Sequence, residues 1–600
     1  MSDFLFSSRP RGPGRLAAVL EDCQARRCGR AREFHGAWGS LAVTPSRYPG
    51  FQPLETGRYL CVVLGGPLLD ASYPDAPQAS AAEDPQAGTR ALLEHWQRGD
   101  LDWAEALSGP FVFCVVDKQA GDLWCVTDLM LFIPVYRYQE QGGWVLGSHV
   151  DAVAEASGRV QHHDEVSLAD FVLHHVVTWP YTVYRDVRQC HPGSVHRLSA
   201  GTGREGALSV STYWEPREEN PFGSLKQAAE CLRGGVQGYI ERLCDGQERV
   251  AQFISAGEDS RALAGMLPAR LQRDAFIFLD NMNREGRIAR KVARAYGARF
   301  IPDFRSTAHY VEILEEASRL TGGGHQYAHA HTLGFHETHG LAEYGAVFGG
   351  YFSDSLLKGQ FCRKAPRHLE YPFMPQQRLG GERRTQAVTH SLFEGAVLEA
   401  LTERRRRHYA RLVALRPDSA DEWFELWPAT MRLGMPNLYV NRRLFASHEV
   451  FMAREAVKVG AAVPVAWKLN RRLFHAAFKP ALAGSWSILH ADGRLPYLPW
   501  WANLPVQFSV WAYREAHRRL GFPVYHEGPW GSWGAIMVSD EWRDASQACA
   551  GLSGVPEVLQ PALQAGALGP DSELLDIMQK SNLMQLCLTL GGESRVPCLT

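Results

Sequence analysis

Arg249-Val-Ala-Gln-Phe-Ile-Ser-Ala-Gly-Glu-Asp-Ser-Arg-Ala-Leu-Ala-Gly-Met-Leu267 is the stretch on which the fold turns. Arg249 to Ile254 reads as a short strand and Arg261 to Leu267 as helix. Between them Ser255, Ala256, Gly257, Glu258, Asp259 and Ser260 make a loop of mostly small residues. A loop of that kind aims backbone N–H groups and hydroxyls at one point, where the dipole of the following helix also favours an anion. Asp259 would repel a bare phosphate there. It makes sense beside a cation such as Mg²⁺, which binds few carboxylates and shares its shell with phosphate oxygens. The competing reading is an ordinary strand-to-helix turn capped by Ser255.

Downstream of this unit the pattern is strand–helix alternation and then long helices, which predicts an α/β domain with a helical C-terminal part. Upstream it is β-rich. Arg58-Tyr-Leu-Cys-Val-Val-Leu64, Phe111-Val-Phe-Cys-Val-Val116 and Leu123-Trp-Cys-Val-Thr127 read as strands, and Ile133–Tyr138 pairs naturally with Trp144–Leu146 across Gly142-Gly143. One helix is expected from about Thr89 to Gln97. The polar stretch Ser199–Gly206 and the segment Pro216–Gly223 mark a boundary, giving a first domain over 1–205, a linker over 206–224 and a second domain over 225–600. No internal repeat is present, and the tail from Gly551 carries no chemical signature.

Composition removes several function classes. Lys and Arg number 63 against 65 Asp and Glu, a net charge of -2, which gives no electrostatic case for nucleic acid or an anionic membrane. The 12 cysteines are scattered with no CxxC, which argues for reduced thiols and a cytoplasmic protein rather than a zinc or disulfide framework. The N-terminal segment lacks the apolar core of a signal peptide. The uncharged run Leu495–Tyr513 is broken by Pro496, Pro499 and Pro505, so it is not expected to span a membrane. Glu403-Arg-Arg-Arg-Arg407 reads as a solvated helix face.

Ser255-Ala-Gly-Glu-Asp-Ser260 resembles the SGGxDS pyrophosphate loop of the asparagine synthetase family, with Ala256 replacing one glycine. The resemblance continues along most of the chain. Leu107–Asp117, Thr127-Asp128, Ile133–Tyr136 and Leu146–Ser148 look like the amidotransferase half of that family. Val187–Gly193 and Tyr213–Pro216 look like its interdomain linker, and Asn283–Ala289 is similar to the segment after its second synthetase strand. Gly350-Tyr-Phe-Ser-Asp-Ser-Leu-Leu-Lys-Gly359 resembles its GxGxDExxxGY loop and would set Asp354 opposite Asp259.

The fold this resemblance implies is an αββα Ntn-hydrolase-like sandwich followed by an α/β adenine-nucleotide hydrolase-like synthetase domain. The implied chemistry joins ATP to a substrate carboxylate as an acyl-adenylate, with release of pyrophosphate and attack by an amine. Its implied cofactors are ATP and Mg²⁺. Asp259 and Asp354 would hold the metal, while Ile254, Ser255, Ala256, Gly257, Glu258, Asp259, Ser260 and Gly350 would bind ATP and pyrophosphate. Arg471, in Asn470-Arg-Arg-Leu-Phe474, falls at the place of the family's synthetase lysine, with Lys468 as its rival. An arginine stabilises charge but serves poorly as a base. Arg443 corresponds to a family arginine, with a structural salt bridge as the other reading. Partners are a small-molecule or peptide carboxylate and an amine acceptor, and a homodimer is one assembly allowed.

The amidotransferase half departs from its family. Ser2 stands where a nucleophilic cysteine is needed, and its hydroxyl ionises far less readily than a thiol. Leu64-Gly65-Gly66-Pro67 lacks the amide side chain of the oxyanion strand-end, and no glutamine-gripping Arg-Gly-Pro-Asp lies between Arg26 and Tyr48. A synthetase site kept and a glutaminase lost resembles the β-lactam synthetases and lasso-peptide cyclases. Two alternatives stay open: an asparagine synthetase using ammonia or glutamine, and a non-catalytic nucleotide-binding homologue, for which Ala256, Tyr351 and Ser355 are the supporting departures. His325, His329, His331, His336 and His339 cluster before the second loop and are expected to line the acceptor pocket, with a metal site as the other reading. The aromatic region around Trp500, Trp501, Trp511, Trp530 and Trp533 is expected to pack in the core or an interface.

Overall fold

A computed structural model describes residues 2–25, 27–73, 84–199, 207–364, 387–521 and 528–591. The central strands of its N-terminal half are buried on both faces, as in Phe111–Asp117, which is apolar from Phe111 to Val116. Two six-stranded antiparallel sheets result. Phe4, Phe6, Leu41 and Leu146 of one meet Val62, Leu64, Val112 and Cys114 of the other, forming the inner core. Helices Arg15–Cys23 and Val150–Ala156 cover the outer face of the first sheet through Leu16, Leu20 and Val153. Helix Ala87–Arg98 covers the second through Leu92 and Leu93. The layers are αββα, as expected.

Two sequence expectations shift. Ile133–Tyr138 is strand only from Tyr136, because the Asp128 carboxylate accepts the N–H groups of Met130, Phe132 and Ile133 at 3.0, 3.0 and 3.4 Å and turns that segment away from the sheet. Ala207–Thr212, assigned to the linker, is an edge strand of the second sheet, paired in register Ser194↔Thr212. The first domain therefore runs past the expected boundary at 205, and residues 200–206 of the polar stretch lie outside the described residues.

The second half centres on a five-stranded parallel sheet, in the order 299–304, 272–279, 249–253, 347–349, 447–449. The chain lays strands outward from 249–253 to one edge, then returns to the other side. This order reverses between 249–253 and 347–349, and in open α/β sheets the crevice at that reversal, beyond the carboxyl ends of the strands, is where ligands bind. The loops after both strands are the two that carry Asp259 and Asp354. Helices Leu225–Leu243, Arg454–Ala462 and Arg472–Phe478 pack over one face through Leu232, Val236, Val457 and Phe474.

The tail beyond Gly551 is a brace. Helix Ile577–Leu590, begun by a capping box between Asp576 and Gln579, packs on helix Glu165–His174 of the first half and on Leu314–Thr321 of the second. Asn582 donates to the Phe171 carbonyl at 2.9 Å, and Gln585 to that of His325 at 2.8 Å. Helix Leu504–Arg519 starts after Pro496 and Pro499, takes Pro505 in its first turn, where a missing N–H costs nothing, and buries none of its residues. Among the described residues no helix is long and apolar enough to cross a membrane.

Candidate active site

Strand Arg249–Phe253 ends in the loop 254–257, and helix Glu258–Met266 starts immediately after it. The loop's own side chains engage its amides. Ser255 N–H donates to Ser260 Oγ at 3.1 Å, Gly257 N–H to Ser255 Oγ at 3.0 Å, and Ala256 N–H to the Glu285 carboxylate at 2.6 Å. Ile254 N–H is spent on the Phe276 carbonyl within the sheet. The expected phosphate cradle is thus shaped but internally satisfied: an anion would have to take the place of hydroxyls that can rotate and of one carboxylate.

The second loop comes close to the first. A Cβ placed on Gly350 would lie 3.2 Å from Asp259 Cβ, so the approach needs glycine. Phe352, at the position of the pattern's second glycine, takes a left-handed φ of 79°, a conformation non-glycine residues hold only at a cost. This turn delivers Asp354 to Asp259 as expected, and with Glu258 the three offer carboxylate oxygens all within 4.8 Å of one another.

By spacing, those oxygens could hold Mg²⁺, which takes oxygen ligands. The space between them, however, holds an ammonium. Lys358 Nζ lies 2.5 Å from Asp259, 2.7 Å from Asp354 and 3.1 Å from Glu258. As the side chains are arranged, the ammonium occupies the space that the three carboxylates enclose. Sequence reading quoted Lys358 without assigning it a role; its spacing of four residues from Asp354 on one helical turn was the available signal.

Two more cations close on Glu258. Arg471 Nε lies 2.8 Å from one carboxylate oxygen and Arg494 Nη2 3.2 Å from the other. Burial would raise the Glu258 carboxyl, but Arg494, Lys358 and Arg471 together hold it well below the usual carboxylate range. Asp259 is pushed up to about 6 by burial, with Lys358 opposing and Asp354 adding. Asp492, missed in the sequence as was Arg494, pairs with Arg494 at 2.7 Å and with His490 at 2.9 Å. Asn470 and Arg471 both sit at left-handed φ, 53° and 61°, so backbone strain is concentrated where Arg471 turns into the crevice.

These groups form one end of a cavity of about 510 Å³. Its other end is lined by Leu498, Trp500, Val510 and Trp511, so the tryptophans expected in a core include two that wall a cavity. Trp501 and Trp530 are exposed. Lys468 does not line the cavity: it is fully buried and its ammonium lies 2.9 Å from the Glu422 carboxylate.

None of the five histidines lines that cavity either. Burial holds His325 and His329 neutral, down to about 3, and their partners are Tyr136 and Gln326. His325 meets the first half through Tyr136, whereas His331 bonds to Tyr310 and His339 to Asp303 within the second, and among the described residues the only grouping suited to a metal is the three carboxylates.

At the seam, Ser2 is 1% exposed and its Oγ donates to the Pro45 carbonyl at 3.1 Å. Asp3 beside it is bound by Arg442 at 2.9 Å and Arg443 at 2.6 Å, which makes Arg443 a structural clamp between the halves. The Tyr48 ring fills the space beside Gly66, where a Cβ would meet it at 2.5 Å.

The fold and the crevice define a two-domain protein with an amidotransferase-like sandwich joined to a parallel α/β half. Residues 40–214 match the family model of a glutamine amidotransferase domain. A stretch of 187 residues is 22% identical to the glutamine-hydrolyzing asparagine synthetase 3 of Bacillus subtilis, covering 31% of this chain and 30% of that protein. Another, of 184 residues, is 21% identical to a provisional glutamine-hydrolyzing asparagine synthetase 2 of Methanocaldococcus jannaschii, covering 30% of this chain and 35% of that one. The chain thus spans about a third of the length of the curated relatives it matches. Among solved structures, a glutamine phosphoribosylpyrophosphate amidotransferase from B. subtilis, in complex with ADP and GMP, covers 52% of this chain and 92% of its own at 8% identity and a TM-score of 0.24, too low to carry an argument. The similarity is therefore to a glutamine amidotransferase domain over residues 40–214 and, at 21–22% identity, to parts of two asparagine synthetases.

Proposed function

We propose that the chain is an ATP-dependent amide-bond-forming ligase that adenylates a substrate carboxylate and passes the acyl group to an amine, with its amidotransferase-like half acting as a structural partner. The observation that carries this reading is the convergence of Glu258, Asp259, Asp354, Lys358, Arg471 and Arg494 at the reversal point of the parallel sheet, beside a cavity with one charged and one aromatic end. The physical difficulty of the reaction is that a carboxylate must approach an α-phosphate of like charge. Fixed cations reduce it by neutralising the triphosphate and stabilising the pyrophosphate that leaves. Arg471 and Arg494 are such cations, held in place by Glu258, and Arg471 does so without acting as a base. The apolar wall of Leu498, Trp500 and Trp511 excludes water from an adenylate that water would hydrolyse.

The buried Ser2 favours an amine acceptor or free ammonia over glutamine as nitrogen source. The second reading, a non-catalytic nucleotide-binding homologue, draws on the internally satisfied amides of Ser255 to Gly257.

Incubation with ATP, divalent salt and a panel of carboxylates and amines, followed for AMP and pyrophosphate, separates these readings. AMP formation that persists in Ser2→Ala and is lost in Asp259→Asn is the expected result. ADP as product ends the adenylation reading, and no ATP consumption with any acid favours the non-catalytic one.

A further inference from the structure

The three carboxylates at the crevice already contain a cation, and it belongs to the chain. The Lys358 ammonium makes ion-pair contacts to Glu258, Asp259 and Asp354 at 3.1, 2.5 and 2.7 Å, one to each carboxylate. The Lys358 side chain is only 4% exposed, and its Nζ stands 4.5 Å over the ring of Phe474, a contact that favours a cation on the side the carboxylates leave open. Its stem is fixed by helical spacing from Asp354. The oxygens it binds lie within 4.8 Å of one another, a space for one cation and not two. Three fixed cations, Lys358, Arg471 and Arg494, already serve this end of the crevice, where Glu258, Asp259 and Asp354 converge and Asp492 shares Arg494 and Arg471.

We propose that Lys358 is the resident cation of this cluster, standing where a divalent metal would otherwise be bound, so that the protein itself holds no metal there while the lysine is in place. As an account of how the charge of the triphosphate is met, this rests on the ligase reading above. As an account of metal binding it stands apart from it. The consequence is that the cationic help to the leaving pyrophosphate comes from side chains anchored in the fold, and that any divalent ion arriving with a nucleotide is held by the nucleotide rather than by Asp259 and Asp354.

Titration of the full chain with Mn²⁺ in the absence of nucleotide, reading free Mn²⁺ by electron paramagnetic resonance, tests this directly. The parent is expected to show no saturable site. Lys358→Met uncovers the carboxylates and is expected to gain one Mn²⁺ site, at least tenfold tighter than anything in the parent. Adding Asp354→Asn to it should remove that site, and Lys358→Arg, which keeps a cation, should stay silent. A saturable site in the parent within threefold of that in Lys358→Met overturns the proposal, as does a folded Lys358→Met that gains none. If Lys358→Met does not fold, as judged by near-ultraviolet circular dichroism, the parent and Lys358→Arg decide: a saturable site in either refutes it, and silence in both supports it. These outcomes do not depend on AMP formation, so a failed ligase assay and a failed metal titration remain distinct results.

Discussion

Replacing Asp3 by Asn is the sharpest test of how the two halves are joined. Asp3 is completely buried and its carboxylate takes Arg442 at 2.9 Å, Arg443 at 2.6 and 2.9 Å, and the Ser148 hydroxyl at 2.7 Å. Asn keeps the volume and loses the charge, leaving two buried guanidinium groups facing each other. Removing one partner of a buried ion pair typically costs ~3–5 kcal/mol, chiefly because the remaining charge is uncompensated. With two guanidiniums stranded, the upper part of that range applies. Urea unfolding followed by tryptophan fluorescence measures the loss. The pH dependence is a second signature. Burial alone would raise the Asp3 carboxyl, but the two arginines hold it well below the usual range, so its stabilisation is complete above about pH 4 and is lost as acid titrates it in the folded state. The parent should lose that increment on acidification and Asp3→Asn should not. An Asp3→Asn protein whose unfolding midpoint and acid limb match the parent would refute the clamp.

Lys468→Met separates a structural role for Lys468 from a catalytic one. It strands Glu422 in the core, so stability should fall by ~3 kcal/mol or more while AMP formation per folded molecule is unchanged; a specific loss of turnover assigns Lys468 to the site. Glu449 is pushed up to about 7 by burial, with only the Tyr351 N–H as a named donor to it. Because its folded value lies above the unfolded one of 4.5, its contribution is fully present below about pH 4.5 and is lost as pH rises to 7, an effect on the order of 3 kcal/mol. Glu449→Gln should flatten the denaturation midpoint across that window, and an unchanged slope counts against the buried carboxyl.

What the sequence disclosed follows the range over which each determinant acts. The strand at Arg249–Phe253, the helix after it and the β-rich character of the first half rest on local apolar runs and were readable directly, whereas the αββα layering came only from likeness to a family. The meeting of Asp259 with Asp354 spans two loops far apart in the chain, and only likeness to a family suggested it. Lys358 and Asp354 share a helical turn, so their pairing could have been read from spacing. The approach of Glu258 and Asp259 to the same ammonium could not. Lys468 looked available because Glu422 lies 46 residues away and no pattern connects them. Ala207–Thr212 alternates Leu208 and Val210 with polar residues, a strand signal masked by the polar run before it.

The clamp on Asp3 also sets an order of events during synthesis. Its carboxylate and the guanidiniums that neutralise it are separated by about 440 residues. At translation rates of ~5–20 residues per second, the first sheet exists for on the order of half a minute with an unmatched carboxylate at its rim. The Asp3 charge therefore waits for its partners until the helix bearing Arg442 and Arg443 emerges, and the last helix then packs on both halves. A ribosome stalled before residue 443 should display a sandwich whose opening strand is still open to proteases, and one released after residue 590 should not.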